Sequence, residues 1–319
     1  MVLSNTTPLS KPASDAIGAL TPSQVDFLKA LPKAELHAHL NGSIPLSILQ
    51  QLAKEYVPSD TDSDQTALDV KSGIEKLQNG IVLKGIHEFF VLFPTVYALT
   101  STREALARAA GAVLAEFLKP KKGEEFPQAT YLELRSTPRK TKAMTRLEYV
   151  ETVLDEVEKY RPDQAALIVS LDRRMSKEVA DECVEAAITL KHRGRRVVGV
   201  DLCGDPAVSN SLADNNCRPS PSPRLVIWNC LRANLRLFEP QDWESPFTSP
   251  RSSPVLKPRD FFCSNHTTQT IENTPEDTFN LLSFKPDRLG HATFLNDEAQ
   301  AIVIKEKLAI EICLTSNFL

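Results

Sequence analysis

Apolar and polar residues alternate along several short segments of this chain, and longer segments between them repeat apolar residues every three or four positions. The first pattern predicts β-strands and the second amphipathic helices. Strands are predicted at residues 34–40, 130–135, 165–171, 197–202, 287–291 and 309–313. Helices are predicted at residues 23–31, 45–54, 86–99, 103–118, 146–160, 176–193 and 297–307.

This regular alternation of strands and helices predicts an α/β protein with a parallel sheet and crossover helices. Polar residues collect where the predicted strands end, which is the catalytic face of a closed α/β barrel. The chain has 319 residues, of which 42% are hydrophobic. A single (β/α)8 barrel of the TIM type, which needs roughly 250 residues, therefore fits the pattern.

The alternation is interrupted once and is preceded by an arm. Residues 1–22 are rich in Ser, Thr and Pro and predict a flexible N-terminal arm, so we expect the barrel domain to span 23–319. Residues 209–260 lack periodicity, contain no glycine and include the runs CRPSPSPRL and SPFTSPRSSPVLKPRD. A structureless segment of that length is unusual within a compact domain. It is interpreted as an insert after the fourth strand or as a translated intron.

Composition excludes several classes of protein. The formal net charge of -4 does not favour nucleic-acid binding, which normally requires a basic excess. The six cysteines are scattered without a CxxC pair, as is typical of reduced thiols inside cells. The N-terminus does not have the pattern of a signal peptide, and no apolar run reaches the ~20 residues of a membrane span. We expect a cytoplasmic protein with no nucleic-acid or membrane partner.

Two histidines, His37 and His39, stand two residues apart at the end of the first predicted strand. The period of two in a strand directs both side chains to one face, where neutral imidazoles could supply half of a zinc site. The alternative is two surface histidines in a turn. His266 and His291 also follow apolar segments, whereas His87 and His192 fall in helical patterns and are given no role.

Four segments in order, PKAELHAHLNGSI, YLELRSTPR, VVGVDLCGDP and DRLGHATFL, resemble the strand-end motifs of the adenosine/AMP deaminase family. The resemblance covers residues 31–206 and 273–317. Asn41 and the STPR segment are similar to the adenosine deaminase-like branch, which acts on N6-substituted AMP. The resemblance implies the barrel fold of the metal-dependent hydrolases and hydrolytic deamination of adenosine, AMP or N6-methyl-AMP.

The resemblance also implies a site with one Zn²⁺ ion that lowers the pKa of a bound water. His37, His39 and His266 match the metal ligands, and His291 matches the histidine that assists the water. The partner is a purine nucleoside or nucleotide, and we expect a monomer. The positions that match the substrate pocket are His39, Asn41, Ser136, Thr137, Pro138, Arg139, Asp172 and Gly204.

The sequence departs from the family pattern at the general acid. The expected His-x-x-Glu motif reads His266-Thr267-Thr268-Gln269, and Glu272 is not in its register. A glutamine amide cannot deliver a proton near neutral pH, so a contribution of roughly 10²–10⁴-fold should be lost. The eighth strand and the Asp-Asp pair that completes the family's zinc site are also expected to be absent. We therefore predict very low turnover for this chain.

Three other interpretations remain open. The chain could be another metal-dependent amidohydrolase, although the fourth strand ends in Cys203-Gly204-Asp205 without the lysine that many of those enzymes carry there. It could be a non-catalytic partial barrel that binds purines. It could also be unable to fold stably alone.

Overall fold

The computed structural model describes Asp15 and residues 18–57, 64–79, 91–204, 262–267, 274–283 and 285–312. These residues form two compact units that meet in sequence between Leu167 and Ile168. The predicted insert at 209–260, Gln269 and the predicted end of the chain lie outside the described residues. The assignment of 23–319 to one barrel domain therefore stays a prediction.

The first unit places helices around strands that are neighbours in chain order, β1 beside β2 and β2 beside β3. β1 and β2 are parallel. The elements are α1 (Pro22–Ala30), β1 (Ala34–His39), α2 (Leu40–Ser43), α3 (Leu46–Glu55), α4 (Asp64–Asn79), α5 (Phe93–Leu99), α6 (Arg103–Leu118), β2 (Tyr131–Ser136), α7 (Arg146–Val157) and the start of β3 (Ala165–Asp172).

The second unit continues the same pattern from β3 onward, with each strand beside the next in chain order. β4 to β7 pair in parallel. The elements that follow β3 are α8 (Lys177–His192), β4 (Val197–Cys203), β5 (Phe262–Thr267), α9 (Pro275–Ser283), β6 (Arg288–His291), α10 (Asp297–Glu306) and β7 (Ala309–Glu311).

The strand predictions agree with the structure to within two residues, with one correction at the end of β1. Leu40 was expected in the strand and Asn41 in its exit turn, but both lie in the short helix α2. Three helices, α2, α4 and α9, were not predicted, and the helix predicted at residues 86–99 begins at Phe93 within the described residues 91–99. In α4 the residues Val70, Gly73 and Leu77 are buried at helical spacing, which is the signal that would have found it.

The core of the first unit lies where α6 and α7 pack on each other. Leu106 and Val113 of α6 and Val153 and Leu154 of α7 are wholly buried. The spacing of seven residues from Leu106 to Val113, and of four and three residues from Val153 and Leu154 to the equally buried Val157, places them on the inner face of each helix. Strand β3 is buried along nearly all its length, as expected for a strand covered on both faces.

Helix α7 starts with a capping box that fixes where the helix begins. The Thr145 hydroxyl accepts a hydrogen bond from the backbone N–H of Glu148, whose carboxylate accepts one from the backbone N–H of Thr145. The bond from the Thr145 backbone, followed by that from its hydroxyl, lowers the pKa of Glu148. The box therefore operates with an ionised carboxylate.

At the end of β4 the backbone approaches the loop after β3 closely. Gly204 has φ +109°, and a Cβ there would lie 2.9 Å from Asp172 Oδ1 and 3.2 Å from the backbone nitrogen of Arg173. The Arg173 backbone N–H donates to the Cys203 carbonyl at 2.9 Å, and its guanidinium donates to the Gly204 carbonyl at 3.2 Å. Only glycine fits this position without strain.

Replacing Thr145 with Ala should lower the free energy of unfolding by about 1 kcal/mol, because the cap hydroxyl is lost. Urea denaturation monitored by circular dichroism measures the change. Thr145→Ser keeps the hydroxyl and is the matched control. The pKa of Glu148 is lower in the folded state than in the unfolded state. Its carboxylate therefore stabilises the folded protein fully above the unfolded-state pKa, and this stabilisation is lost as the pH falls through the folded-state pKa. Equal stability of the Ala and Ser variants would contradict the assigned cap.

Replacing Gly204 with Ala should destabilise the protein by roughly 1–3 kcal/mol, because the methyl group meets Asp172 in a left-handed backbone. Gly194→Ala is the matched control, since Gly194 has φ +77° but nothing within 4 Å of a Cβ. Chemical denaturation of both variants separates the clash from the cost of positive φ. Equal losses at the two positions would show that the contact with Asp172 is unimportant.

Candidate active site

Strand β1 contains one extra residue relative to β2 in the segment between Glu35 and Ala38, which includes His37. Glu35 pairs with Leu132 and Ala38 with Leu134, so three steps along β1 match two along β2. This irregularity has the character of a β-bulge, which removes local backbone groups from the ladder and redirects side chains. Such bulges are common beside active sites.

Two charged side chains satisfy the backbone at this bulge. Arg135, wholly buried on β2, donates from Nε and Nη2 to the Leu36 carbonyl at 3.1 and 2.9 Å. The Glu35 carboxylate accepts a hydrogen bond from the backbone N–H of His37 at 2.8 Å. Because a buried backbone group without a partner is costly, these contacts stabilise the bulged conformation. Sequence analysis singled out neither residue, although a charged arginine inside an apolar strand is itself a signal.

The structure brings His37, which lies within the bulged segment, close to His39, which follows it. Their ring centroids lie 5.3 Å apart at an interplanar angle of 68°. Both residues are half-buried at the carboxyl end of β1. Two imidazoles converging at a strand end suit a transition-metal ion such as Zn²⁺. Their proximity agrees with the sequence interpretation, and a metal-ligand role for them stays a proposal.

Asn41, Ser136 and Tyr149 form a buried polar group in the first unit. The Tyr149 hydroxyl lies 2.9 Å from Ser136 Oγ and is also hydrogen-bonded to the Asn41 side chain. Burial is the main cause that raises the pKa of Tyr149, so the phenol is neutral at physiological pH. Two of these residues were predicted as pocket positions, but Tyr149 was missed because it lies on a helix and not in a strand-end motif.

Three of the predicted pocket positions, Thr137, Pro138 and Arg139, come directly after β2. The Arg139 guanidinium carbon lies 3.6 Å from the centre of the Tyr97 ring, and Phe93 packs edge-on against Tyr97 at 5.4 Å. A cation above an aromatic face is held by the ring quadrupole. Arg139 is half-buried, so this stacking fixes a positive charge beside the end of β2. An oriented guanidinium is the side chain best suited to a phosphate.

In the second unit Asp172 lies at the end of β3 and Gly204 just after β4. The Asp172 carboxylate accepts three hydrogen bonds from Arg174, one from its backbone N–H at 2.9 Å and two from its guanidinium at 2.8 and 2.6 Å, and it faces Gly204. The predicted pair is therefore adjacent in the structure. Its role in binding a ligand is a proposal.

A buried carboxylate near the end of β4, Asp201, was not singled out from the sequence. Asp201 is wholly buried and accepts a hydrogen bond from Ser170 Oγ at 3.0 Å. Its carboxylate and the Cys203 thiol lie within 4.8 Å of each other, and both are groups that bind metals. An acidic residue in an otherwise apolar strand was the signal for it.

The remaining predicted residues lie on or after β5 and β6. His266 is in β5, where its backbone is opposite Gly290 of β6. His291 ends β6 with φ +66° and is buried, a strained backbone conformation that is frequent at functional sites. Gln269 lies outside the described residues.

Comparison with known proteins identifies the family. The adenosine deaminase family matches residues 32–217. The chain is 30% identical to the N6-methyl-AMP deaminase of Homo sapiens over 310 residues, covering 93% of this chain and 72% of that protein. It is 31% identical to the adenosine deaminase-like protein of Drosophila pseudoobscura over 297 residues, covering 91% and 72%.

Solved structures show the same relationship. The N6-mAMP deaminase of Arabidopsis is 27% identical with a TM-score of 0.66, covering 92% of this chain and 75% of that one. A structure of the Arabidopsis protein ADAL with GMP gives the same TM-score and identity, covering 92% and 74%. The predicted barrel-type α/β fold class and hydrolytic deaminase class are confirmed by these matches. The chain belongs to the adenosine deaminase family.

Proposed function

We propose that this protein hydrolyses the C6–N bond of a 6-aminopurine nucleotide, with N6-methyl-AMP as the preferred substrate over AMP and adenosine. The water oxygen bonds to C6 as the C6–N bond breaks. Of the two water hydrogens, one ends on N1 of IMP and the other on methylamine, which leaves. The observation that supports this most directly is the pair His37–His39, with rings 5.3 Å apart at the end of a bulged strand. The pair occurs in a chain that matches N6-methyl-AMP deaminases over most of its length.

One Zn²⁺ ion is proposed as the cofactor, with His37, His39 and His266 as its ligands. The donor chemistry fits, because imidazoles are preferred zinc ligands and those of His37 and His39 are half-buried. A zinc-bound amidohydrolase from Burkholderia shares the fold at 16% identity and a TM-score of 0.61, which supports the fold alone. When bound, zinc supplies a hydroxide at neutral pH by acidifying water. His291 is proposed to hold that water's proton.

A nucleotide is proposed in preference to a nucleoside because the first unit presents an oriented cation. Arg139 stacks on Tyr97, and Thr137 and Pro138 come directly after the last residue of strand β2. Structures of the Arabidopsis relative have been solved with GMP and with IMP, both nucleoside monophosphates. We propose that Ser136, Thr137, Pro138 and Arg139 receive the phosphate, and that His39, Asn41, Asp172 and Gly204 line the nucleoside part.

Weak turnover is proposed because Gln269 occupies the position at which the family motif has its general-acid glutamate. A neutral amide can orient N1 of the purine but cannot protonate it. Product binding would persist under this proposal, since no contact with the nucleotide requires the acid. This residue also favours a second candidate function, a purine-nucleotide-binding protein without catalysis.

A monomer in the cytoplasm is proposed as the working state. In the part of the chain that the structure describes, no helix is sufficiently long and apolar to cross a bilayer.

Replacing His39 with Ala should reduce bound zinc from one ion per chain to near zero and abolish release of methylamine from N6-methyl-AMP. The reason is that a three-histidine site loses an essential ligand. Metal analysis of the purified protein and an amine-release assay measure the two effects. His192→Ala, an exposed histidine on α8, is the matched control. Full zinc content in the His39 variant would contradict the proposed ligand.

Replacing Gln269 with Glu should raise kcat for N6-methyl-AMP by roughly 10²–10⁴-fold, because a group able to transfer a proton is restored. Steady-state kinetics measure the gain, and calorimetry should give an unchanged affinity for IMP. Gln300→Glu, an exposed position on α10, is the control for added negative charge. A Gln269 variant with bound zinc and unchanged kcat would overturn the general-acid argument. Fast amine release by the unaltered chain would overturn it too.

A further inference from the structure

Tyr149 occupies an unusual place for a polar side chain. It is the fourth residue of α7, is only 1% exposed and faces the end of β2. Its hydroxyl contacts Ser136 Oγ at 2.9 Å and is hydrogen-bonded to the Asn41 side chain. The phenol therefore links two of the residues that the proposed site assigns to nucleotide binding. It is not itself in any of the motifs that carry the family resemblance.

Asn41 is 8% exposed, and its two amide ends have different surroundings. Its Oδ1 is buried and accepts no hydrogen bond from the residues that the structure describes. Its Nδ2 is the end left to bond the phenol oxygen, while the phenol O–H is free to donate to Ser136 Oγ. A buried acceptor without a donor is costly in a folded protein, which points to a donor supplied by a ligand.

An asparagine amide can rotate by 180° and exchange its oxygen and nitrogen with little change in shape. The bond to Tyr149 selects one of these orientations. With Nδ2 held against the phenol, the oxygen is the end presented away from it. Without the phenol, nothing described around Asn41 selects one orientation over the other.

We propose that Tyr149 is a positioning residue for nucleotide binding: it fixes the Asn41 amide so that Oδ1 accepts a hydrogen bond from a sugar hydroxyl of the ligand. A hydroxyl is chosen because a phosphate dianion carries only acceptors and would repel an amide oxygen. The phosphate is instead matched by the Arg139 guanidinium. This role rests on the proposed function, since it requires a nucleoside or nucleotide in the site.

The test compares ligands that differ by hydroxyl groups. Isothermal calorimetry would measure the affinity of the unaltered protein and of Tyr149→Phe for IMP against 2′,3′-dideoxy-IMP, and for inosine against 5′-deoxyinosine. The unaltered protein should prefer the hydroxylated member of at least one pair. In Tyr149→Phe that preference should fall by about fivefold, the value of one neutral hydrogen bond. Tyr160→Phe, at a tyrosine just beyond the end of α7, is the matched control and should keep the preference.

A second variant separates positioning from general damage to the fold. Asn41→Asp replaces the amide with two equivalent oxygens, so orientation no longer needs selecting. The double variant, with both Asn41→Asp and Tyr149→Phe, should then show the same hydroxyl preference as Asn41→Asp alone, within about twofold. That margin is smaller than the effect of losing one neutral hydrogen bond. If Tyr149→Phe merely loosened the core, the same loss would appear in both backgrounds. Thermal denaturation would verify that each variant is folded.

Three outcomes would overturn the proposal. The first is a hydroxyl preference that Tyr149→Phe does not change. The second is an equal loss when Tyr149→Phe is introduced into the unaltered protein and into the Asn41→Asp variant. The third is an unaltered protein that binds the nucleotides with no hydroxyl preference at all. An unaltered, folded protein that binds neither IMP nor inosine would instead refute the proposed function, and with it this role.

Discussion

The buried guanidinium of Arg135 is the contact on which the end of β1 depends. It donates twice to the Leu36 carbonyl, at the point where β1 gains a residue relative to β2. Without those bonds the Leu36 carbonyl would be left outside the ladder in a protein interior, which is costly. The Glu35 carboxylate likewise accepts a hydrogen bond from the backbone N–H of His37. The convergence of the two imidazoles therefore rests on two charged side chains that lie outside the predicted set of site residues.

A second set of polar contacts also holds residues in place at or near the strand ends. Tyr149, supplied by α7, holds Ser136 and Asn41, and α7 in turn begins at the Thr145–Glu148 capping box. In the second unit Ser170 supports Asp201 within the sheet. Residues placed at strand ends are thus fixed by partners that lie on helices or deeper in strands. A site built in this way keeps its geometry without relying on loop conformation.

Much of this architecture could be predicted from the sequence because strand alternation and helical spacing are local signals. The ends of β2 to β4 and the adjacency of His37 and His39 belong to that class. What was missed depends on tertiary contact. The bulge in β1 is visible only in the pairing with β2, and Tyr149 acquires significance only when α7 packs beside Ser136 and Asn41. Leu40 continued the alternation of β1 but starts α2, because the strand pattern cannot signal where pairing with β2 stops.

The bulged end of β1 is proposed to provide two imidazole ligands, His37 and His39, to a metal ion. X-ray absorption at the zinc edge of the zinc-loaded protein tests it most directly. The spectrum should show at least two imidazole nitrogens at about 2.0–2.1 Å from zinc, with the multiple-scattering features of histidine rings. A coordination shell made only of oxygen or sulfur atoms would contradict the account.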